Sequence, residues 1–288
     1  MGLKSRVKGI LRGFSARSPG LFIWLTERLI HQPRLALALV SSLDARLGLS
    51  GIPAQGPLRG RRFENLLVDE LLPVLQNGME AECSELLTLL DLQGGIALDI
   101  GASYGYYGVL LSGRVGSSGL VYCFEPDAAS FVRLVHNLSI NRCSNVIPVP
   151  YAVGSANGLA WWAVNTDQPW LGHLTDTGSV PVATIALDTF VTALPPGRLR
   201  LIKLDIEGAE ADVLEASART LTEARPMALI ELHSTPIAAR VIRLLRGHNY
   251  RVHRVEYQGE ERHHIWAYPL ERAAEWQPIA VRYPEETA

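Results

Sequence analysis

The chain has 288 residues, 48% hydrophobic and 19% charged, with a net charge of -2. That is ordinary globular usage, long enough for a large α/β domain with a sizeable core, and the balanced charge excludes a global case for nucleic acid or a strongly acidic substrate. Its three cysteines, Cys83, Cys123 and Cys143, form no CxxC pair and cannot close a complete set of disulfides, as expected of idle thiols in a reducing cytoplasm.

The N-terminus is the one polarised stretch: Lys4, Arg6, Lys8, Arg12, Arg17, Arg28 and Arg34 face a single acid, Glu27. Phe14 and Leu21 to Trp24 are interleaved with them. Gly20 to Leu25 is too short and too soon interrupted to be a signal peptide, and no apolar run reaches the ~20 residues of a membrane span. Residues 1–35 therefore read as an amphipathic cap on the domain, or as a basic surface for peripheral contact with an anionic membrane or a partner. Gly48 to Arg62, rich in Gly, Pro and Arg, sets a boundary between an extension (1–62) and the main domain (63–288). Helical spacing at Phe63 to Leu75 and Glu80 to Leu92 makes residues 63–93 a helical lead-in.

After Gly94-Gly95 the text changes to short apolar runs separated by helical segments, which is βαβ grammar. Strands are expected at Ile96 to Ile100, Leu120 to Phe124, Val146 to Val149, Leu199 to Leu204 and Ala228 to Leu232. Leu159 to Phe190 is too long for a simple crossover and reads as an inserted hairpin (about 159–190) carrying Trp161, Trp162, Trp170 and His173. Tyr250 to Tyr257 and His263 to Tyr268 flank Gln258 to Glu261, a connection suited to an antiparallel hairpin. The expected architecture is a mostly parallel α/β sheet finished by that hairpin.

Ala97-Leu98-Asp99-Ile100-Gly101-Ala102-Ser103-Tyr104-Gly105 carries an acid at the end of a buried strand into a glycine turn and a helix, the edge where open α/β sheets bind ligands. A dinucleotide fingerprint wants a glycine where Ser103 stands, and Asp99 would repel a diphosphate. A sulfonium cofactor has no phosphate and carries an ammonium that Asp99 could attract directly or through water. Glu125, twenty residues beyond Gly105, ends the second strand where an acid can accept both ribose hydroxyls; its structural alternative is a helix-capping acid ahead of Asp127.

With these residues the chain resembles the FkbM family of methyltransferases from about Met79 to Tyr268. Ile202-Lys203-Leu204-Asp205-Ile206-Glu207-Gly208-Ala209-Glu210 is similar to the family's K-x-D-x-E-G-x-E signature. Asp99 to Ala102, Gly105-Tyr106-Tyr107, Phe124-Glu125-Pro126, Asn137 to Asn141, Ala152-Val153-Gly154 and Thr184 to Asp188 match in order. Ser103 departs from the family's common Asn and should keep its hydrogen-bonding role. The resemblance implies a class I methyltransferase (Rossmann-like) fold with a seven-stranded sheet, S-adenosyl-L-methionine as donor, and an oxygen acceptor on a sugar, glycan or other natural product. Loop and resemblance together give a cofactor set of Asp99, Gly101, Ala102, Ser103, Tyr104, Gly105, Glu125, Pro126, Ala152 and Asp205.

Methyl transfer to an alcohol also needs a base. Asp205, Glu207 and His233 are the catalytic candidates, at the ends of neighbouring strands. If a divalent metal takes part, Asp205, Glu231 and His233 are its expected ligands. Glu207 and Glu210 could instead favour the following helix N-terminus. Lys203 lies inside its strand and should pair with an acid or snorkel outward. His173 could reach the acceptor from the insertion. The sequon Asn137-Leu138-Ser139 is discounted because nothing implies secretion. The leading expectation is an O-methyltransferase for a small-molecule or glycan acceptor, with no nucleic-acid partner. A non-catalytic binding protein docking through its basic head is the alternative, and a nicotinamide oxidoreductase a distant third.

Overall fold

The computed structural model describes residues 49–286 apart from 54, 67–69, 72–73, 75–79, 164–171, 176–179 and 258–262. The basic head, Trp170 and the Gln258 to Glu261 connection lie outside the described residues.

Two short strands come first, β1 (Leu49–Gly51) and β2 (Phe63–Leu66), paired antiparallel, and then helix α1 (Ala81–Leu89). Phe63 to Leu66, expected to be helical, is thus extended. Phe63 and Leu66 are fully buried at a three-residue spacing that a helix and this irregular strand share, so periodicity cannot separate the two. The conformation is fixed from outside. The Asn137 side chain accepts from Glu64 N (2.8 Å) and donates to Glu64 O (3.2 Å), while that of Asn141 accepts from Arg62 N (3.1 Å) and donates to Arg62 O (2.7 Å). The stretch read as a linker also contains β1, and it buries Leu58 in the domain's core.

The main sheet is built from β3 (Ile96–Ile100), β4 (Leu120–Phe124), β5 (Val146–Val149), β10 (Leu199–Leu204), β11 (Met227–Leu232), β12 (Tyr250–Tyr257) and β13 (His263–Pro269). Its seven strands run in the order β12-β13-β11-β10-β3-β4-β5. β5, β4, β3, β10 and β11 are mutually parallel, and β13 joins β11 antiparallel as half of the C-terminal hairpin. Every residue of β3 is buried, as a central strand covered on both faces requires.

Helices α2 (Tyr106–Val115), α3 (Ala128–Ile140) and α6 (Thr235–Gly247) cover the sheet, each following a strand. Asp127 starts α3 by accepting from Ser130 N at 2.8 Å. In α6, Ala238, Val241, Ile242 and Leu245 repeat at three and four residues and pack into the core on one side of the sheet. Asn137 is fully buried, so its sequon is closed to modification in the folded chain.

The insertion is more than a hairpin. β6 (Ala152–Gly154), β7 (Gly158–Ala163), β8 (His173–Thr175) and β9 (Val180–Ala186) form a second sheet in the order β6-β9-β7-β8. β9 pairs parallel to β6 and antiparallel to β7, which ties the insertion back to the chain leaving β5. Short helices α4 (Leu187–Thr192) and α5 (Glu210–Glu215) precede and follow β10, and α7 (Ala273–Ala280) closes the described chain. Among the described residues no helix is long and apolar enough to cross a membrane.

Candidate functional site

The chain runs outward from β3 to β4 and β5, then crosses back to β10 and β11, so connections part between β3 and β10. A cavity of about 390 Å³ opens there, at the carboxyl ends of the parallel strands. Its wall passes from Glu125 and Pro126 after β4, through Gly101 to Tyr104 after β3 and Asp205 to Glu207 after β10, to Glu231 in β11. With strands ~4.8 Å apart, three spacings make roughly 14 Å, room for an elongated ligand.

The β3 turn is held by backbone hydrogen bonds. Gly101 has φ +82°, and a Cβ there would stand 1.7 Å from the Asp205 carbonyl oxygen, so only glycine lets the exits of β3 and β10 meet. Gly101 N and Ala102 N donate to Phe124 O at 3.1 and 2.9 Å, and Ser103 N donates to Glu125 Oε2 at 2.8 Å. These three amides are therefore committed to the end of β4, which removes the dinucleotide reading: a diphosphate needs such amides free. Ser103 makes this bond through its backbone, at φ +47°. Gly105 lies outside the lining, and its missing Cβ admits Leu134, whose Cδ1 would be 2.9 Å away.

Glu125 sits where the sequence placed it. It is 6% exposed, and its other oxygen accepts from Asp127 N at 2.9 Å. Capping falls to Asp127, so Glu125 serves the turn and the cavity. Burial pushes its carboxyl up to about 7, against the pull of the Asp127 and Ser103 amides. Asp99 departs from expectation. It is fully buried and does not line the cavity, because its register places it between Lys203 and Cys123 in the middle of the sheet. Burial lifts it to about 6, with Lys203 pulling the other way.

Beyond the turn, the site is made of side-chain charges. Lys203, 2% exposed, gives its ammonium to Asp205 Oδ2 at 2.9 Å and stands 4.8 Å from the centre of the Tyr107 ring, so it pairs with an acid as expected. Burial alone would lower this ammonium; Asp205, Asp99 and Glu80 together hold it above the ordinary lysine range. Burial likewise opposes ionisation of Asp205, but Lys203 and His233 outweigh it and keep the carboxyl at about 2.

His233 is enclosed by acids: Nδ1 meets Glu210 Oε1 at 2.9 Å, and Nε2 lies 3.2 Å from Glu207, 3.6 Å from Asp205 and 3.8 Å from Glu231. Burial works against its charge, yet Glu207 and Glu210 push it up to about 10. His233 lies behind the lining, and an imidazole held protonated by neighbouring acids is a donor rather than a general base. Glu210, fully buried, accepts from Ile206 N and Gly208 N and so supports the β10 turn.

Glu231 is raised to about 8, by burial first and then by Asp205 and Glu80, with His264 and His233 opposing. Sequence reasoning missed the other half of this cluster. Glu80, just ahead of α1, accepts from the Tyr107 hydroxyl and approaches His264 Nε2 at 3.1 Å; His264 is 3.7 Å from Glu231. The only local signal was a histidine pair, His263-His264, in an otherwise apolar strand. Trp162 faces the cavity with its ring over Gly172, whereas His173 stands exposed between the lining residues Gly172 and Leu174. Pro126, Tyr104 and Ala152 line the wall.

Ligating atoms of Asp205, Glu207 and His233 lie within 4.8 Å of one another, as do those of Glu80, Asp205 and Glu231. The expected metal trio Asp205, Glu231 and His233 is thus divided between two groupings.

A mostly parallel seven-stranded sheet with this switch-point cavity defines the class I methyltransferase architecture. The FkbM methyltransferase domain matches residues 99–252, a little over half of the chain. The chain belongs to that family, and the protein is a methyltransferase. It is 25% identical over 185 residues to the hexuronic acid methyltransferase AglP of Haloferax volcanii, covering 64% of this chain and 75% of that protein. Among solved structures it resembles a methyltransferase FkbM from Methylobacillus flagellatus KT, with a TM-score of 0.47 and 18% identity over 63% of this chain and 45% of the other. The present chain therefore spans less than half the length of that protein. An S-adenosylmethionine-dependent O-methyltransferase from Thermotoga maritima gives a TM-score of 0.46 and 13% identity over 73% of this chain and 75% of that one.

Proposed function

We propose that this chain is an S-adenosylmethionine-dependent O-methyltransferase acting on a hydroxyl of a sugar, glycan or specialised metabolite. The observation that carries the reading is the make-up of the cavity: apart from tyrosines, its ionisable lining among the described residues is carboxylate, with Lys203 the single cation and that one bound to Asp205. Such a wall suits a cationic ligand without phosphate. When bound, the cofactor supplies an electrophilic methyl group on a sulfonium, open to in-line attack.

The chain's own residues then divide the work. Glu125, fixed by two amides, accepts the ribose hydroxyls. The backbone from Gly101 to Tyr104 forms the floor, and ionised Asp205 faces the positive end. Alignment of this kind can contribute ~7–11 kcal/mol to the rate. Of the acids over β10 and β11, Asp205 at about 2 is too weak a base for an alcohol proton, and Glu231, raised to about 8, accepts it in its ionised fraction. Glu207, at the same mouth, orients the acceptor. The name of the Haloferax relative supports a carbohydrate-like acceptor. A cytoplasmic location belongs to the same proposal, in keeping with three free thiols.

Titration calorimetry with S-adenosylhomocysteine tests the cofactor half: wild type binds, and Glu125→Ala loses about 10–100-fold in affinity, the worth of a charged hydrogen bond or two. No heat from well-folded wild-type protein would sink the reading. For the acceptor half, methyl-labelled cofactor is incubated with fractionated glycans and metabolites, and the products are read by mass spectrometry. Label on nitrogen refutes the oxygen assignment.

A further inference from the structure

The far end of the cavity, over β10 and β11, is where an acceptor must enter if the ribose sits at Glu125. Its wall there is Glu80, Asp205, Glu207 and Glu231. Among the described residues each nearby cation is engaged: Lys203 by Asp205, His233 by Glu210 and Glu207, His264 by Glu80. Leu159 to Phe190, which contributes Trp162, Gly172 and Leu174 to the wall, contains no lysine or arginine anywhere in its sequence. On the opposite side Arg133 spends its guanidinium on both oxygens of Glu70.

We infer that the acceptor is a neutral or amine-bearing polyol, and that this wall excludes uronates and other carboxylated acceptors. Like charges brought together in a partly desolvated site repel strongly, and no described side chain is placed to form the fork with which arginine receives a carboxylate. The inference rests on the cofactor reading above, and it sets this chain apart from the relative whose name specifies a hexuronic acid.

Charge can be delivered to this spot without knowing the acceptor, by cofactor analogues altered at the methyl position. Sinefungin, which carries an amine there, is expected to bind about tenfold or more tightly than neutral S-adenosylhomocysteine. The carboxymethyl sulfonium analogue should bind about tenfold or more weakly than its isosteric carbamoylmethyl counterpart, and Glu207→Gln should narrow both gaps. A carboxymethyl analogue that binds as well as the carbamoylmethyl one, while S-adenosylhomocysteine still binds, overturns the charge assignment alone. If none of the four ligands binds, the cofactor reading fails and the inference falls with it.

Discussion

The two ends of the cavity are built from different materials. At the β4 end the partners are backbone amides: Gly101, Ala102, Ser103 and Asp127 all donate to Phe124 or Glu125, and the geometry follows from the turn. At the β11 end the partners are side chains from four separate places, Glu80, Lys203 with Asp205, Glu231 with His233, and His264, held by mutual charge. The first kind of site is rigid and independent of pH apart from Glu125. The second is a coupled set in which removing one charge alters the protonation of the rest.

The sharpest way to break the backbone-built end is Gly101→Ala. The added methyl meets the Asp205 carbonyl at a φ that L-residues rarely adopt, and the loss should exceed ~3 kcal/mol, seen as a collapse of the unfolding midpoint in urea. At the charge-built end, Lys203→Met takes from the part-buried Asp205 its main counter-charge, leaving His233 at 3.6 Å, and should cost about 3 kcal/mol. The double variant Lys203→Met with Asp205→Asn should recover much of that loss. If the two changes simply add, the ion pair does not organise this end.

A smaller effect distinguishes the ends by pH. The folded value of His233 lies at about 10 against 6.5 for the free side chain. Its stabilising charge is therefore complete below about 6.5 and disappears as pH rises through about 10. The stability gap between wild type and His233→Gln should shrink along that range, and proton NMR should find the ring still charged at pH 8. Glu125 has the same sign in a lower window: with a folded value of about 7 above the ordinary 4.5, its contribution to stability declines as pH rises from about 4.5 to about 7. Cofactor affinity should rise over pH 6 to 8 as the carboxylate form fills, and Glu125→Gln should flatten that rise. The smallest change expected is Trp161→Ala, on the outer face of β7 with 41% exposure, within ~0.5 kcal/mol of wild type.

This contrast also explains which parts of the site could be read in advance. The five parallel strands were legible because each is a short apolar run ended by small or acidic residues, and Glu125 and Asp205 followed as the acids ending two of them. Phe63 to Leu66 was misread because its conformation depends on Asn137 and Asn141, more than seventy residues away. The protonation of His233 could not be read in advance because it depends on Glu207 and Glu210 folding around it. Asp99 was placed in the right strand, one residue before Ile100, where the strand meets the cavity.

The sequence by itself determined the alternation of strands and helices, the glycine turn after β3 and the acids that end β4 and β10, since these depend on local patterning and on spacing along the chain. Tertiary structure alone decided what faces those acids. The tertiary structure set which carboxyl groups are ionised, pushed the His233 and His264 imidazoles toward the charged form, and brought Glu80 from before α1 against the end of the hairpin, because a charge in a low-dielectric interior is governed by its spatial neighbours rather than its neighbours in sequence.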